Sequence, residues 1–196
     1  MKIGIYGGSF DPPHLGHKHL ADCFTEFEQL DKCLIIPAAI PPHKSANKAS
    51  SEHRFNMCRL AFPESIYQVS DIELRRTGKS YTFDTLCEIK RLYPNSELVL
   101  AMGTDMLTCF TSWYRYREIF SLCNIFAFAR DDGEIRMREY IDRELPEFAD
   151  KITVKSVNPI VLSSTVIREK LKNGEPTDGL LLPVVRDYAI VNELYR

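Results

Sequence analysis

The sequence predicts an α/β protein with a doubly wound, mostly parallel sheet that carries helices on both faces. Short apolar stretches alternate along the chain with stretches whose apolar residues recur at helical spacing. This alternation is typical of parallel strands joined by right-handed helical crossovers. Two stretches, 98–102 and 125–129, are apolar at every position, which is expected of strands covered by helices on both faces.

Each element is predicted from its own apolar pattern and from its boundary residues. Pro37 ends the second strand, Pro63 ends the second helix, and Gly174 lies at the C′ position of a later helix. Ser50 or Ser51 is the predicted N-cap of the second helix. The predicted elements are strand 2–6, helix 15–30, strand 33–36, helix 51–62, strand 67–72, helix 82–93, strand 98–102, strand 124–129, helix 134–145, helix 165–172 and a last helix after Pro183. Their order is typical of a Rossmann-like architecture.

The composition limits the size, location and partners of the protein. The 196 residues are expected to form a single domain, 1–196, whose last part, about 163–196, is helical. Acidic and basic residues number 27 and 25, and the net charge of −2 argues against a nucleic-acid-binding protein. No apolar run is long enough to span a membrane, and the six cysteines contain no C-x-x-C pair. We therefore expect a cytoplasmic protein without nucleic-acid or membrane partners, either a monomer or a homo-oligomer.

A glycine turn with two histidines directly follows the first predicted strand. Gly7 and Gly8 let the backbone approach a ligand closely, and a helix that begins near His14 directs its N–H groups and positive dipole end to the same place. His14 and His17 are three residues apart, so they point the same way. Alone, either histidine fits an incidental surface position, and a zinc site would require a third ligand and usually the spacing i, i+4. The combination of glycine turn, helix N-terminus and paired donors favours a phosphate site.

A second polar cluster lies about 150 residues later, at the start of a predicted helix. Ser163, Ser164 and Thr165 offer hydroxyl groups and main-chain amides, and Arg168 adds a planar guanidinium group suited to phosphate oxygens. By itself such a segment is usually an ordinary helix N-cap with a surface arginine. Its occurrence together with the first motif favours a second phosphate-binding segment.

These residues resemble a known superfamily. The segment from Gly7 to His17 resembles the signature of the nucleotidyltransferases that share a His-x-Gly-His motif with class I aminoacyl-tRNA synthetases, and the segment from Ser163 to Arg168 resembles their Ser-Ser-Thr-x-Ile-Arg signature. Three further segments resemble the bacterial nicotinate mononucleotide adenylyltransferases in particular, namely 37–44, 78–86 and 102–105, the last followed by Phe110 and Trp113. The resemblance covers nearly the whole chain.

The resemblance implies an enzyme that transfers the adenylyl group of ATP to nicotinate mononucleotide, giving deamido-NAD and pyrophosphate in NAD biosynthesis. Nicotinamide mononucleotide or phosphopantetheine is the alternative acceptor, and a non-catalytic nucleotide-binding regulator is the alternative from another functional class. The implied catalytic residues are His14, His17 and Arg168. The implied ATP-binding residues are Gly7, Gly8, Ser9, Phe10, Gly103, Asp105, Ser164 and Thr165. The implied mononucleotide-binding residues are Lys44, Tyr81, Thr82, Trp113, Tyr114 and Arg130.

Several of these residues have an alternative role. Trp113 would stack on the pyridine ring or anchor its loop in the core, and main-chain amides near Thr82 and Tyr114 would hold the nicotinate carboxylate. Asp105 would contact the ATP ribose or cap a helix. Lys44 would bind a phosphate or remain an exposed loop cation.

One segment departs from the family pattern. The family usually has Arg-Pro-Gly after the fifth strand, whereas this chain has Arg130 followed by two aspartates and Gly133. The expected role of Arg130 is contact with the mononucleotide phosphate.

The implied chemistry requires no general base. A phosphate monoester has a second pKa of about 6 and is already anionic at pH 7. The enzyme then has to hold two anions in line and neutralise the charge that develops. Mg²⁺ is the implied cofactor, bound to the ATP phosphates and mostly to water, with no protein metal site.

Overall fold

The computed structural model describes residues 1–39, 48–76, 78–129, 133–158, 160 and 162–196. The strands are β1 (Lys2–Gly8), β2 (Lys32–Pro37), β3 (Tyr67–Val69), β4 (Glu97–Gly103), β5 (Asn124–Ala129) and β6 (Ile152–Ser156). The helices are α1 (Leu15–Glu28), α2 (Ser51–Ala61), α3 (Thr82–Leu92), α4 (Thr104–Leu107), α5 (Tyr116–Leu122), α6 (Gly133–Glu144), α7 (Ser164–Asn173) and α8 (Pro183–Val191). Two 3₁₀ helices cover Phe110–Ser112 and Pro146–Lys151.

The six strands form one sheet with the order β3-β2-β1-β4-β5-β6. β1 pairs with β4, β4 with β5 and β5 with β6, all in parallel; Ile3 lies opposite Leu98, and Val99 opposite Asn124. The strand order runs in opposite directions from β1 and β4, as in a doubly wound sheet. This confirms the predicted α/β, Rossmann-like fold with its mostly parallel sheet.

Most predicted elements are confirmed, with boundary shifts of one to three residues. β6 was not predicted, because its residues are exposed or half-buried apart from Val154 and give no apolar run. The short helices α4 and α5 were not predicted either. The strand predicted over 67–72 ends at Val69, because Asp71 begins a turn in which its carbonyl accepts the N–H of Leu74 at 2.8 Å.

The chain divides into two compact units. Unit 1 comprises Met1–Tyr6, Cys23–Cys33 and Tyr81–Pro159, and unit 2 comprises Gly7–Asp22, Leu34–Ser80 and Ile160–Arg196. The expectation of a single domain over 1–196 remains a prediction. The expected helical part after residue 163 corresponds to α7 and α8, both in unit 2.

Aromatic side chains form much of the core of each unit. In unit 1, the fully buried Phe24 and Phe126 rings lie 5.3 Å apart and Phe126 and Phe128 lie 5.1 Å apart, measured between ring centroids. In unit 2, Phe62 contacts both Phe10 and Tyr67 edge-on. Burial of each such ring contributes roughly 1.5–3 kcal/mol. Among the described residues, no helix is long and apolar enough to cross a membrane.

Candidate active site

Two stacked imidazole rings mark the start of α1 in unit 2. The ring centroids of His14 and His17 are 3.7 Å apart with an interplanar angle of 26°. The main-chain N–H of His14 donates to Nδ1 of His17 at 3.2 Å, and the N–H of His17 donates to Nδ1 of His14 at 3.3 Å. An accepting nitrogen carries no proton, so the proton of each neutral ring lies on Nε2. The two side chains therefore present Nε2–H groups of the kind that bind phosphate oxygens.

Gly16, between the two histidines, allows this arrangement. A Cβ atom at Gly16 would lie 2.9 Å from the carbonyl oxygen of Ile160 and 3.1 Å from Nδ1 of His14. The first of these contacts is with main-chain oxygen, which cannot move aside as a flexible side chain could. Glycine at position 16 is therefore required for the close packing of the start of α1 against the main chain at Ile160.

The turn after β1 supports the second histidine through a buried ring. Phe10 adopts a left-handed backbone conformation with φ of 48°, and its ring is 1% exposed and lies edge-on to His17 at 5.0 Å. Phe10 as a whole residue is buried, so its observed role is to support His17 from within the turn. Gly7 is exposed, and Gly8 and Ser9 are half-buried.

Asp11 joins the first motif to three other parts of unit 2. Its buried carboxylate accepts the N–H groups of Lys48 at 2.7 Å and Ala49 at 3.1 Å, and the hydroxyl group of Tyr195 at 2.8 Å. Its main-chain oxygen accepts Nη1 of Arg168 at 2.8 Å. The first motif, the segment before α2, the second motif and the segment after α8 therefore meet at one residue.

The second motif lies at the start of α7. The hydroxyl group of Ser164 donates to the carbonyl oxygen of Pro12 at 3.1 Å, and Nη2 of Arg168 donates to Oγ1 of Thr165 at 3.0 Å. Ser163 is the N-cap residue, but its side chain makes no cap hydrogen bond. The structure thus brings the two predicted phosphate-binding motifs together within unit 2.

Arg54, a residue not predicted from the sequence to belong to the site, stabilises the turn after β1 from the interior of unit 2. It is 1% exposed; its Nη1 donates to the carbonyl oxygen of Ser9 at 2.8 Å, and its Nη2 donates to Oγ of Ser51 at 3.4 Å. Burial lowers the pKa of the guanidinium group, and the nearby Asp11 carboxylate opposes this shift. A signal was available, since Arg54 lies on the same helical face as the buried Met57 and Cys58.

In unit 1, Gly103 and Asp105 lie where β4 passes into α4. Gly103 is the N-cap residue of α4, so the alternative capping role of Asp105 is wrong. Asp105 is exposed in the first turn of this helix. Contact of Asp105 with the ATP ribose stays a prediction.

The predicted mononucleotide-binding aromatics also lie in unit 1. The rings of Tyr81 and Tyr114 are 4.8 Å apart, and Tyr114 is 50% exposed. The half-buried Trp113 contacts the core residue Phe110 at 5.1 Å, and its indole Nε1 is buried without a hydrogen-bond partner among the described residues. Trp113 thus has the anchoring contact that was the alternative to stacking. Thr82 begins α3.

Two predicted site residues, Lys44 and Arg130, lie outside the described residues. No group of three or more histidine, cysteine, aspartate or glutamate side chains within the described ranges could hold a metal ion.

Comparison with known proteins places this arrangement in a family. A model of the cytidylyltransferase-like family matches residues 5–170. A relative from Carboxydothermus hydrogenoformans, named as a probable nicotinate-nucleotide adenylyltransferase, is 40% identical over all of this chain and 98% of its own length. The nicotinate-nucleotide adenylyltransferase of Bacillus subtilis is 35% identical over 99% of this chain and 98% of its own.

A solved structure agrees in fold. The nicotinic acid mononucleotide adenylyltransferase of Plasmodium falciparum, solved in complex with NaAD, superposes on this chain with a TM-score of 0.81 at 21% sequence identity. The superposition covers 99% of this chain and 97% of that chain. The family match, the full-length relatives and the meeting of the two motifs at Asp11 lead to one assignment. The chain belongs to the cytidylyltransferase-like nucleotidyltransferases and, within them, to the nicotinate-nucleotide adenylyltransferase family.

Proposed function

We propose that this chain transfers the adenylyl group of ATP to nicotinate mononucleotide, giving deamido-NAD and pyrophosphate in NAD biosynthesis. The full-length relatives carry the name of this activity. The single observation that supports it most directly is the cluster in unit 2, where stacked imidazoles with Nε2–H groups are tied through Asp11 to the guanidinium group of Arg168.

The proposed step is an in-line displacement at the α-phosphorus of ATP. A phosphate oxygen of the mononucleotide forms the new P–O bond, the bond to the bridging α,β-oxygen breaks, and pyrophosphate leaves with the electron pair. The attacking group is already anionic at pH 7, so no side chain has to remove a proton. The protein's contribution is to align the two anions and to neutralise the developing charge.

The residues of unit 2 would bind the triphosphate. In this proposal Nε2–H of His17 donates to the α-phosphate and that of His14 to a neighbouring phosphate. Arg168 uses two of its guanidinium nitrogens to contact Asp11 and Thr165, and a guanidinium group has five N–H donors, so donors remain for the β- and γ-phosphates. Ser164 and Thr165 add the N-terminal amides of α7. The main chain from Gly7 to Phe10 would line the nucleotide.

Mg²⁺ is proposed to enter with ATP, held by phosphate oxygens and water. The hard, oxygen-preferring ion is suited to the phosphate oxygens, and it neutralises part of their charge. Both carboxylate oxygens of Asp11 already accept hydrogen bonds from Lys48, Ala49 and Tyr195, so we do not assign Asp11 as a ligand.

The residues of unit 1 would bind the acceptor and the ribose. Trp113 rests one part of its ring on Phe110, and we propose that its accessible part stacks on the pyridine ring. Tyr81, Thr82 and Tyr114 would supply the surrounding aromatic and main-chain contacts. Gly103 and Asp105 would contact the ATP ribose, whereas Lys44 and Arg130 remain proposals from sequence for the mononucleotide phosphate.

The protein is further proposed to act in the cytoplasm. All six cysteines are thiols that form no disulfide, as is typical of reducing compartments.

The test is turnover of the purified protein with ATP and Mg²⁺ against three acceptors. We expect nicotinate mononucleotide to yield equal amounts of pyrophosphate and deamido-NAD, with much lower kcat/KM for nicotinamide mononucleotide and phosphopantetheine. The His17→Ala variant, prepared identically, controls for contaminating enzymes. Preference for another acceptor would overturn the substrate assignment, and ATP binding without pyrophosphate release would indicate a non-catalytic nucleotide-binding protein.

A further inference from the structure

The side-chain hydroxyl group of Tyr195 contacts the buried carboxylate of Asp11. Its phenol donates to Oδ1 at 2.8 Å, while the Ala49 N–H reaches the same oxygen at 3.1 Å and the Lys48 N–H reaches Oδ2 at 2.7 Å. The carboxylate is 5% exposed, so these partners replace most of its hydration. Loss of the Tyr195 hydroxyl group would leave Oδ1 of Asp11 with the longer of these two hydrogen bonds, the one from the Ala49 N–H.

The backbone conformation after α8 places the Tyr195 hydroxyl group beside Asp11. The N–H of Glu193 donates to the carbonyl of Ile190 at 3.1 Å, and that of Leu194 to the carbonyl of Ala189 at 2.9 Å, which is the pattern of a Schellman motif. Glu193 and Tyr195 both adopt left-handed conformations, with φ of 53° and 69°. Such conformations are costly for residues other than glycine, so the surrounding contacts must hold them.

The phenol remains a donor over a wide pH range. Burial raises the pKa of Tyr195, and the adjacent Asp11 carboxylate raises it further, although Arg168 and Arg54 oppose the shift. Asp11 therefore receives a neutral O–H donor rather than a phenolate, which would repel it.

We propose that Tyr195 is a positioning residue for the triphosphate site. Its hydroxyl group fixes the Asp11 carboxylate, and Asp11 in turn fixes the turn that leads to His14 and the main-chain oxygen that orients Arg168. The kinetic part of this inference rests on the proposed adenylyl transfer; the binding part requires only that the site takes ATP.

The test compares Tyr195→Phe with Tyr188→Phe. Tyr188 is a matched control, because its half-buried hydroxyl group bonds to His53 at 3.0 Å and Asn56 at 3.2 Å, both in α2, rather than to Asp11. Each variant loses one hydroxyl group from the same part of unit 2. A merely structural role would therefore lower the melting temperature in both without separating them in ligand binding.

The first measurement is the Kd of α,β-methylene-ATP with Mg²⁺. Tyr195→Phe is expected to raise this Kd about three- to tenfold. A hydrogen bond to a charged group is worth a factor of about 10–100 in an equilibrium constant, and only part of that loss is transmitted from Asp11 to the ATP site. Tyr188→Phe should leave it unchanged. Equal Kd values in the two variants would overturn the positioning role, whatever their melting temperatures.

The second measurement separates the two proposals. In turnover assays, Tyr195→Phe should lower kcat/KM for ATP by a similar factor and leave the KM for nicotinate mononucleotide unchanged. If the wild-type protein makes no deamido-NAD, the proposed function fails, but the contrast in analogue binding still decides the role of Tyr195. In an Asp11→Asn background, Tyr195→Phe should add little further loss; a full additional loss would contradict action through Asp11.

Discussion

The way His14 and His17 present their ring nitrogens depends on hydrogen bonds that their spacing in the sequence does not specify. The three-residue spacing predicted that the rings point the same way, and the stacked rings confirm it. Their reciprocal bonds between main-chain N–H and Nδ1 depend on the proline-containing turn and on Gly16, so spacing alone could not give the tautomer. The tautomer identifies Nε2 as the donor atom.

The first prediction concerns that donor. His17→Ala is expected to lower kcat by roughly 10²–10³, by analogy with loss of one transition-state hydrogen-bond donor. Gln retains an amide nitrogen near the position of Nε2, whereas Asn retains one near Nδ1, so His17→Gln should keep more activity than His17→Asn. Steady-state kinetics on variants with unchanged circular dichroism measure this, and near-normal turnover of His17→Ala would contradict the catalytic assignment.

The second prediction concerns the buried Arg54. Arg54→Met should lower the free energy of unfolding by about 2–4 kcal/mol, because the Ser9 carbonyl loses its donor and the buried Asp11 loses a nearby positive charge. Arg59→Met, at an exposed position of the same helix, is the control and should change it by less than about 0.5 kcal/mol. Urea unfolding measures both; equal effects would exclude a special role for Arg54.

At the scale of elements, α1, α7 and α8 end in the same way, with Gln29, Gly174 and Glu193 at the C′ position. In α7, Gly174 has φ of 68°, and the N–H of Glu175 donates to the carbonyl of Lys170. In α1, Gln29 has φ of 48°, and the N–H of Leu30 donates to the carbonyl of Thr25. Sequence predicted the first end from its glycine but placed the second at Leu30, since glutamine gives no signal for a left-handed residue.

The third prediction compares the C-terminal ends of α7 and α1, where substitutions are expected to change the free energy of unfolding in opposite directions. Gly174→Ala should destabilise the protein by about 1 kcal/mol, because a Cβ there contacts nothing within 4 Å and only the left-handed backbone opposes it. Gln29→Gly, at an exposed residue, should stabilise by up to about 1 kcal/mol. Chemical denaturation of both variants measures the change, and shifts of the same sign would contradict the backbone argument.

At the scale of the whole molecule, the sequence predicted the fold and singled out the two motifs proposed to bind phosphate, but it did not predict the contacts that join them. Apolar runs and glycine turns are local signals, and they were sufficient for β1, β4 and β5. Arg54 and Tyr195 act through hydrogen bonds to Ser9 and Asp11, 45 and 184 positions away, which no local pattern specifies. β6 was missed because a half-exposed strand resembles a loop in composition.

The fourth prediction concerns the loss of stability at alkaline pH caused by one buried thiol in each unit. Burial raises the pKa of Cys58 in unit 2, and it raises that of Cys123 in unit 1 to about 12. An unfolded cysteine titrates near 8.5, so the stabilisation is complete below about pH 8.5 and is lost as the pH rises toward the folded-state pKa values. The free energy of unfolding should therefore fall by up to about 1.4 kcal/mol per pH unit for each thiol.

Urea unfolding between pH 8 and 10.5 tests this slope. Replacement of both Cys58 and Cys123 by alanine should reduce it, although the smaller side chains lower stability at every pH. Cys109→Ala, at an exposed position, is the control and should leave the slope unchanged. An identical slope in the double variant would show that other groups cause any alkaline loss.

The connections of Asp11 also bear on synthesis by the ribosome. Asp11 bonds to residues 157 and 184 positions further along the chain. At a rate of about 5–20 residues per second, Asp11 is made roughly 10–40 s before Tyr195. During that interval the nascent chain lacks the hydrogen bonds that order the proposed triphosphate site, so the ability to bind ATP should be acquired only after Tyr195 has been made.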